Sequence, residues 1–320
     1  MRLVFLGTPD LSAFILEEII NHHYIPQLVI TKEDAIAGRG MKTKYSAVKQ
    51  TAYKYQLPLM QANSLKNNTD IVNKIKELAP DYIIVVAYGC ILTQEILSIA
   101  SCINVHASLL PKWRGAAPIP RSLLAGDKET GITIMQMDQG LDTGDILLQE
   151  KIIVDNDETH GSLYHKMKII GAKALIKYLD TSDHIQPIAQ NNSLATYANK
   201  IQKQEGLIDF NQLATKVELH IRGFNPPGAY SYLDGKLYKI WEAEVVELAS
   251  QNQIELKCFN KPGCIVQANQ DGLIVCCGLD GIKTTFLKIH SLQIAGGIKQ
   301  DYRALIRNNN FLGKIFTQSI

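Results

Sequence analysis

Residues 82–87 read Tyr-Ile-Ile-Val-Val-Ala, an unbroken apolar and largely β-branched run. A strand with no polar face must be covered on both sides, which is the condition of a central strand in a parallel sheet flanked by helices. The run therefore predicts an α/β fold with residues 82–87 at the centre of its sheet. At 320 residues the chain exceeds what one core usually fills, roughly 250 to 300 residues, so a second domain is expected.

The stretch before residue 82 fits this frame. Arg2 to Leu6 is a short apolar strand that runs into Gly7, Thr8, Pro9 and Asp10 and then an amphipathic helix through Ile20, the opening of a βαβ fold. Only Gly7 stands where a dinucleotide fingerprint needs three glycines, so a Rossmann-like sheet is expected without a dinucleotide site. Gln27 to Thr31 reads as the second strand, Ala47 to Tyr55 as a helix, and Ser64 as the cap of a helix to Leu78. Between the second strand and the helix at Ala47, Gly38, Arg39 and Gly40 with Lys42, Lys44 and Lys49 make a cationic loop, suited either to phosphates or to plain solvation.

Composition removes several classes. With 46% hydrophobic and 20% charged residues, the chain is no disordered polyelectrolyte. The apolar run before Gly7 is too short for a signal segment, and no later run reaches about 18 apolar residues, so a cytoplasmic protein without a membrane span is expected. None of the six cysteines forms a CxxC pair, and adjacent Cys276 and Cys277 would point to opposite faces of a strand. They read as reduced thiols, and no metal site is predicted. From Gly206 onward there are 12 Lys and Arg against 10 Asp and Glu, which places the whole net charge of +2 there.

Chemistry concentrates between Cys102 and Asp145. If Ile103 to Ala107 is a strand, Asn104 and His106 share one face while Ile103 and Val105 take the other. An amide can donate to an oxygen gaining negative charge, and an imidazole can move a proton near neutral pH. Asp142, in the glycine-bounded turn from Asp138 to Asp145, is a carboxylate able to orient that imidazole. The same residues at a strand end can also serve only to satisfy backbone groups. Ser108, Leu109, Leu110 and Pro111 make a rigid turn whose backbone groups are expected to be free to bond something flat. Thr130 to Met137 and Ile146 to Val154 alternate as strands around the turn, and Thr159 to Leu179 is expected to be a helix.

The composition turns polar at Asp180. A helix from Gln212 to Arg222 is followed by short alternating strands with glycine turns, an arrangement of OB-like barrel size. The expected organisation is a domain over 1–180, a linker over 181–205 and a smaller domain over 206–320.

The segments INVHASLLPKWRGAAPI and ETGITIMQMDQGLDTGD, with FLGTPD, AGRG and GFNP at Gly223 to Pro226, closely resemble the family of bacterial methionyl-tRNA formyltransferases. The resemblance runs nearly end to end. It implies a Rossmann-like formyltransferase domain followed by an OB-like β-barrel. It implies that Asn104, His106 and Asp142 are catalytic and that Ser108, Leu109, Leu110 and Pro111 lie against the folate. The donor would be 10-formyltetrahydrofolate and the acceptor the α-amino group of methionine on initiator tRNA, with direct amine attack and no metal. Arg39, Lys42 and Lys44 of the AGRG loop and Lys236 and Lys239 of the second domain, with Lys299 and Arg303, would hold the tRNA, and the enzyme would act as a monomer. Glu33, Asp34, Ala35 and Ile36 stand where the family commonly carries a PDRP run.

Overall fold

The structure, a computed structural model, describes residues 1–37, 42–248, 261–307 and 309–319. It divides into two compact units, one of residues 1–119, 128–154 and 163–200, the other of residues 120–127, 155–162 and 201–320.

In the first unit the chain runs through β1 (Leu3–Gly7), α1 (Asp10–Asn21), β2 (Leu28–Thr31), β3 (Ala35–Ala37), β4 (Lys42–Lys44), α2 (Ala47–Lys54), β5 (Leu59–Gln61), α3 (Thr69–Leu78), β6 (Tyr82–Val86), α4 (Gln94–Leu97) and β7 (Ser101–His106). The chain continues with α5 (Pro118–Ala125), which from Pro120 belongs to the second unit, then β8 (Glu129–Gln136), β9 (Ile146–Ile153) and α6 (His160–Thr181), which belongs to the first unit from Leu163 onward. Seven strands form one sheet in the order β5-β2-β1-β6-β7-β8-β9, which puts the predicted central run fourth of seven. Strands β5 to β7 pair in parallel, whereas β8 and β9 are antiparallel additions. Ile83, Ile84 and Val86 of β6 are fully buried. On one face, Ile83, Val85 and Cys102 pack with Ile71 and Ile75 of α3 and Ile96 of α4. On the other, Gly171 lets α6 approach so closely that an added Cβ would meet Ile15 at 3.1 Å and Val105 at 3.4 Å.

Two local expectations are corrected. The helix to Leu78 starts at Thr69, capped by Asn68, whose side chain accepts the Ile71 N–H at 3.2 Å. Ser64 bonds only as far as the Lys66 N–H, so its hydroxyl closes a turn before the helix. The stretch after β2 is not an irregular loop throughout: β3 and β4 pair as an antiparallel hairpin with Ala35 opposite Lys44.

The second unit contains α7 (Ala214–Gly223), β10 (Ala229–Leu233), β11 (Lys236–Val246), β12 (Ile265–Asn269), β13 (Gly272–Asp280), β14 (Lys283–Ile294), β15 (Gln300–Asp301) and α8 (Tyr302–Ile306). Its six-stranded antiparallel sheet has the order β10-β11-β14-β13-β12, with β15 on β14. Among the described strands β10 and β12 do not pair, so no strand ladder closes a barrel. The edges are instead satisfied by residues 313–317. Ile265 N donates to Lys314 O at 2.8 Å and Phe316 N to Gly263 O at 2.9 Å on one side, while Tyr232 and Thr317 exchange bonds of 3.0 and 2.8 Å on the other. An exposed sheet edge is a row of unpaired polar groups, and this segment covers two of them at once.

Phe316 anchors the bridging segment. It is 3% exposed and stacks on Phe210 at 5.6 Å between ring centroids. Phe316→Ala is expected to destabilise the second unit by about 3–5 kcal/mol. Ile282→Ala, at a fully exposed position, should stay within about 0.5 kcal/mol of the parent. Urea unfolding of the two variants checks both values.

Candidate active site

The site grows from the carboxyl end of β7. This strand is parallel to β6 on one side and antiparallel to β8 on the other, with Val85 opposite Asn104, Asn104 opposite Met135 and His106 opposite Thr133. Val105 and Ile103 are buried, and Cys102 lies fully buried beneath the amide. Burial pushes the Cys102 thiol up to about 12, so it stays protonated and is no nucleophile. Asn104 and His106 emerge on the face predicted by alternation.

Asp142 meets them from the turn between β8 and β9. Its Oδ1 accepts from Asn104 Nδ2 at 3.3 Å, its Oδ2 accepts from Gly115 N at 2.8 Å, and His106 Nδ1 lies 3.6 Å from Oδ2. The last distance is an approach rather than a hydrogen bond. The other ring nitrogen, Nε2, donates to the Trp113 carbonyl at 2.9 Å. The Asn104 side chain makes no bond beyond the one to Asp142 among the described residues, so its second amide hydrogen is available. The turn is built by Asp138, whose Oδ1 accepts from Gly140 N at 2.9 Å and from the Thr143 hydroxyl at 2.7 Å. Gly144 is required for space, since a Cβ there would lie 1.9 Å from Gln136 O. The left-handed residue is Asp142 itself, at φ +52°.

The Ser108–Pro111 turn is corrected in one respect. Its carbonyls and the Leu110 N–H are not free. Thr133 Oγ1 donates to Ser108 O at 2.7 Å and accepts from Leu110 N at 3.0 Å and from Gln149 Nε2 at 2.9 Å, the full valence of a hydroxyl. Gln149 Nε2 also reaches Leu110 O at 2.9 Å, and Thr196 N donates to Pro111 O at 3.3 Å. Leu109 and Pro111 remain partly exposed. Thr133, Gln149 and Thr196 escaped the sequence reading, because a polar residue at a strand position or in a polar stretch carries no periodic signal.

A formyl transferase family model matches residues 1–179, and a formyl transferase C-terminal domain model matches residues 200–310. The methionyl-tRNA formyltransferase of Nitrosomonas eutropha is 43% identical over 304 residues, covering 93% of this chain and 92% of that protein. This chain belongs to the methionyl-tRNA formyltransferase family. The methionyl-tRNA formyltransferase of Francisella tularensis subsp. novicida is likewise 43% identical, over 275 residues and 85% of each chain. Among solved structures, the N-formyltransferase of Helicobacter canadensis, in complex with folinic acid and dTDP-3-aminofucose, shares the fold at a TM-score of 0.66 and 18% identity, over 90% of this chain and 98% of that one.

In this family member the basic residues singled out in the sequence fall into two groups. Arg39 and the Lys42 side chain lie outside the described residues; Lys44, on β4, is exposed. The base of the hairpin is fixed by Lys49 of α2, whose ammonium donates to both Asp34 oxygens at 2.9 and 2.7 Å and to Gln61 Oε1 at 2.8 Å. Those bonds hold the Asp34 carboxyl below its usual range. On the other side of the hairpin, Ser46 Oγ bonds Thr31 Oγ1 at 2.8 Å and caps α2. In the second unit Lys239 and Lys299 flank the Trp241 ring at 5.5 and 5.8 Å, while Lys236 and Arg303 are exposed.

Gly115 is the position where the site tolerates least. Its φ is +119°, and an added Cβ would lie 2.9 Å from Ala198 O. Gly115→Ala is expected to cost about 1–3 kcal/mol in strain and, by shifting the N–H that holds Asp142, to lower turnover about tenfold or more. Unfolding and steady-state kinetics on the same preparation check the pair of effects.

Proposed function

We propose that this family member transfers the formyl group of 10-formyltetrahydrofolate to the α-amino group of methionine on initiator tRNA, with Asn104, His106 and Asp142 as its catalytic residues. The carrying observation is the convergence of these three side chains at the end of β7, in a chain whose relatives match it over nearly their whole length. We assign its place of action to the cytoplasm, as a monomer.

The donor set fits a formyl group. When bound, the folate supplies an electrophilic carbonyl carbon attached to nitrogen, and the residues here offer amide, imidazole and carboxylate in one place. The free amide hydrogen of Asn104 donates to the carbonyl oxygen as negative charge gathers there. His106 adds a second donor once its Nε2–H turns from the Trp113 carbonyl. Asp142 accepts the proton that the attacking amine loses as the new C–N bond forms. The bond to the folate nitrogen then breaks, and that nitrogen takes up a proton. Ser108, Leu109, Leu110 and Pro111 are assigned to the folate, Leu109 and Pro111 through the surface they leave exposed, because the turn's carbonyls are already bonded. For tRNA, the basic residues Arg39, Lys42 and Lys44 of the hairpin region and Lys236 and Lys239 of the second unit are assigned to phosphates. Neither group is needed by a small amine acceptor.

Asn104→Ala should lower turnover about 10²- to 10³-fold without unfolding the chain. Formyl transfer from the folate donor to charged initiator tRNA measures it, and turnover above about a tenth of the parent's would remove Asn104 from the mechanism. Arg39→Ala should raise the Michaelis constant for methionyl-tRNA while leaving that for the folate donor unchanged. An unaltered constant for tRNA takes Arg39 out of the tRNA site.

A further inference from the structure

The polar stretch after α6 is fastened across the catalytic end of the first unit. Ile188 and Ile146 exchange backbone bonds of 2.8 Å each. Farther along, Arg114 N donates to Thr196 O at 2.9 Å, Ala198 N to Arg114 O at 2.7 Å and Ala117 N to Ala198 O at 3.1 Å. Between these two attachments lies Gln190. Its Nε2 donates to the backbone carbonyls of Asp142 at 2.9 Å and Gly144 at 2.7 Å. Its Oε1 accepts two bonds from Arg114, from Nε at 3.0 Å and from Nη2 at 2.7 Å.

We propose that Gln190 is a positioning residue for formyl transfer: its side-chain amide holds the backbone of Asp142 in the conformation that aims the carboxylate at Asn104 and His106, and Arg114 holds Gln190 in turn. The inference rests on the catalytic reading of Asp142. Three observations carry it. Asp142 is an L residue at φ +52°, a region that costs roughly 1–2 kcal/mol and persists only where neighbours enforce it. The amide bonds the carbonyl of that very residue and of the glycine two positions on, so it fixes the peptide units on both sides of Thr143. The orientation of the amide is determined as well. A flip would face its NH₂ to a guanidinium and its oxygen to two carbonyls, and neither contact is a hydrogen bond.

The chemistry at position 190 separates positioning from mere attachment. Arg114 is 2% exposed, and among the described residues its guanidinium bonds Gln190 and, at 2.8 Å, Asn192 Oδ1, with no carboxylate partner. A glutamate at 190 would pair with it more strongly than an amide does. It has no hydrogen to give to Asp142 and Gly144. The amide is the group that satisfies both sides, and its second duty is the one that touches the catalytic turn.

Gln190→Glu therefore keeps the segment tied to Arg114 while deleting both bonds to the turn. We expect its kcat to fall about 10- to 100-fold, with the constants for methionyl-tRNA and folate donor within about twofold of the parent's and an unfolding midpoint above that of Gln190→Ala, because the pairing with Arg114 offsets the two lost bonds. Gln190→Ala should lose a similar share of kcat and also some thermal stability. Asp142→Asn, measured alongside, reports on the underlying reading. If Asp142→Asn is inactive and Gln190→Glu keeps more than about a third of parental kcat, the positioning role is overturned and the catalytic reading stands. If Asp142→Asn turns over like the parent, both fall. A kcat loss confined to Gln190→Ala, in step with its melting point, would mean that Gln190 only attaches the segment.

Discussion

The catalytic end of the first unit depends on how the carboxylate and backbone of Asp142 are held. Three segments distant in sequence contribute: Asn104 from β7, the Gly115 N–H from the turn after Pro111, and the Gln190 amide from the stretch after α6. An unsupported left-handed aspartate would relax, because its conformational penalty is comparable to one ordinary hydrogen bond. Several bonds to one residue outweigh it. Trp113 is a second L residue at positive φ, +64°, and Thr196 Oγ1 accepts its N–H at 2.9 Å. The two strained positions are thus steadied by the same covering segment, so the geometry around His106 belongs to a layer added over the sheet's end rather than to the sheet alone.

The sheet decides where that layer can form. β7 is the last strand of the parallel series, and its other neighbour runs antiparallel, so the Asp138–Asp145 turn leaves β8 beside Cys102 and Ile103 and folds back to bring Asp142 to Asn104 and His106. Side-chain alternation then presents Asn104 and His106 beyond the packed residue Cys102 on that face, while Val105 is locked under α6. Thr133, directly opposite His106, ties the following turn back to the strand pair. Burial thus fixes the amide and imidazole, and hydrogen bonds fix everything that closes over them.

The division between burial and hydrogen bonding is also the division between what was legible in the sequence and what was not. The run at Tyr82–Val86 announced the sheet and its centre, since an all-apolar strand has few other places to go. The pattern Asn104, Val105, His106 announced a shared face, because period-two geometry is local. Sequence could name Asp142 as a candidate in a glycine-bounded turn, but not that the left-handed residue of that turn is the aspartate itself. Gln190 and Arg114 were invisible as a pair: they are far apart in sequence, and an amide in a polar stretch looks like any solvated side chain. In the second unit, turn spacing revealed strands, but the bridging of both edges by residues 313–317 follows from backbone bonding that side-chain patterns do not record.

The same separation resolves the unusual stretch before Gly38. Glu33 and Asp34 stand in a segment where the family commonly carries a more basic run, and on charge counting alone they would offset the neighbouring lysines. The two carboxylates differ in this: Asp34 is paired with Lys49 and bonded by Gln61, whereas Glu33 accepts only from the uncharged Asn63 amide, at 2.8 Å. Lys49 is only 5% exposed, so the ion pair with Asp34 is internal to the hairpin's base and both charges are removed from the surface together. Lys44, on the far strand, has no such partner among the described residues and faces solvent. A field that reaches a polyanion is set by charges left unpaired at the surface, within a Debye length of about 8 Å at physiological salt. By that measure the Asp34–Lys49 pair drops out of the surface charge, whereas Glu33, exposed and bonded to a neutral amide, keeps its charge and stands against Lys44.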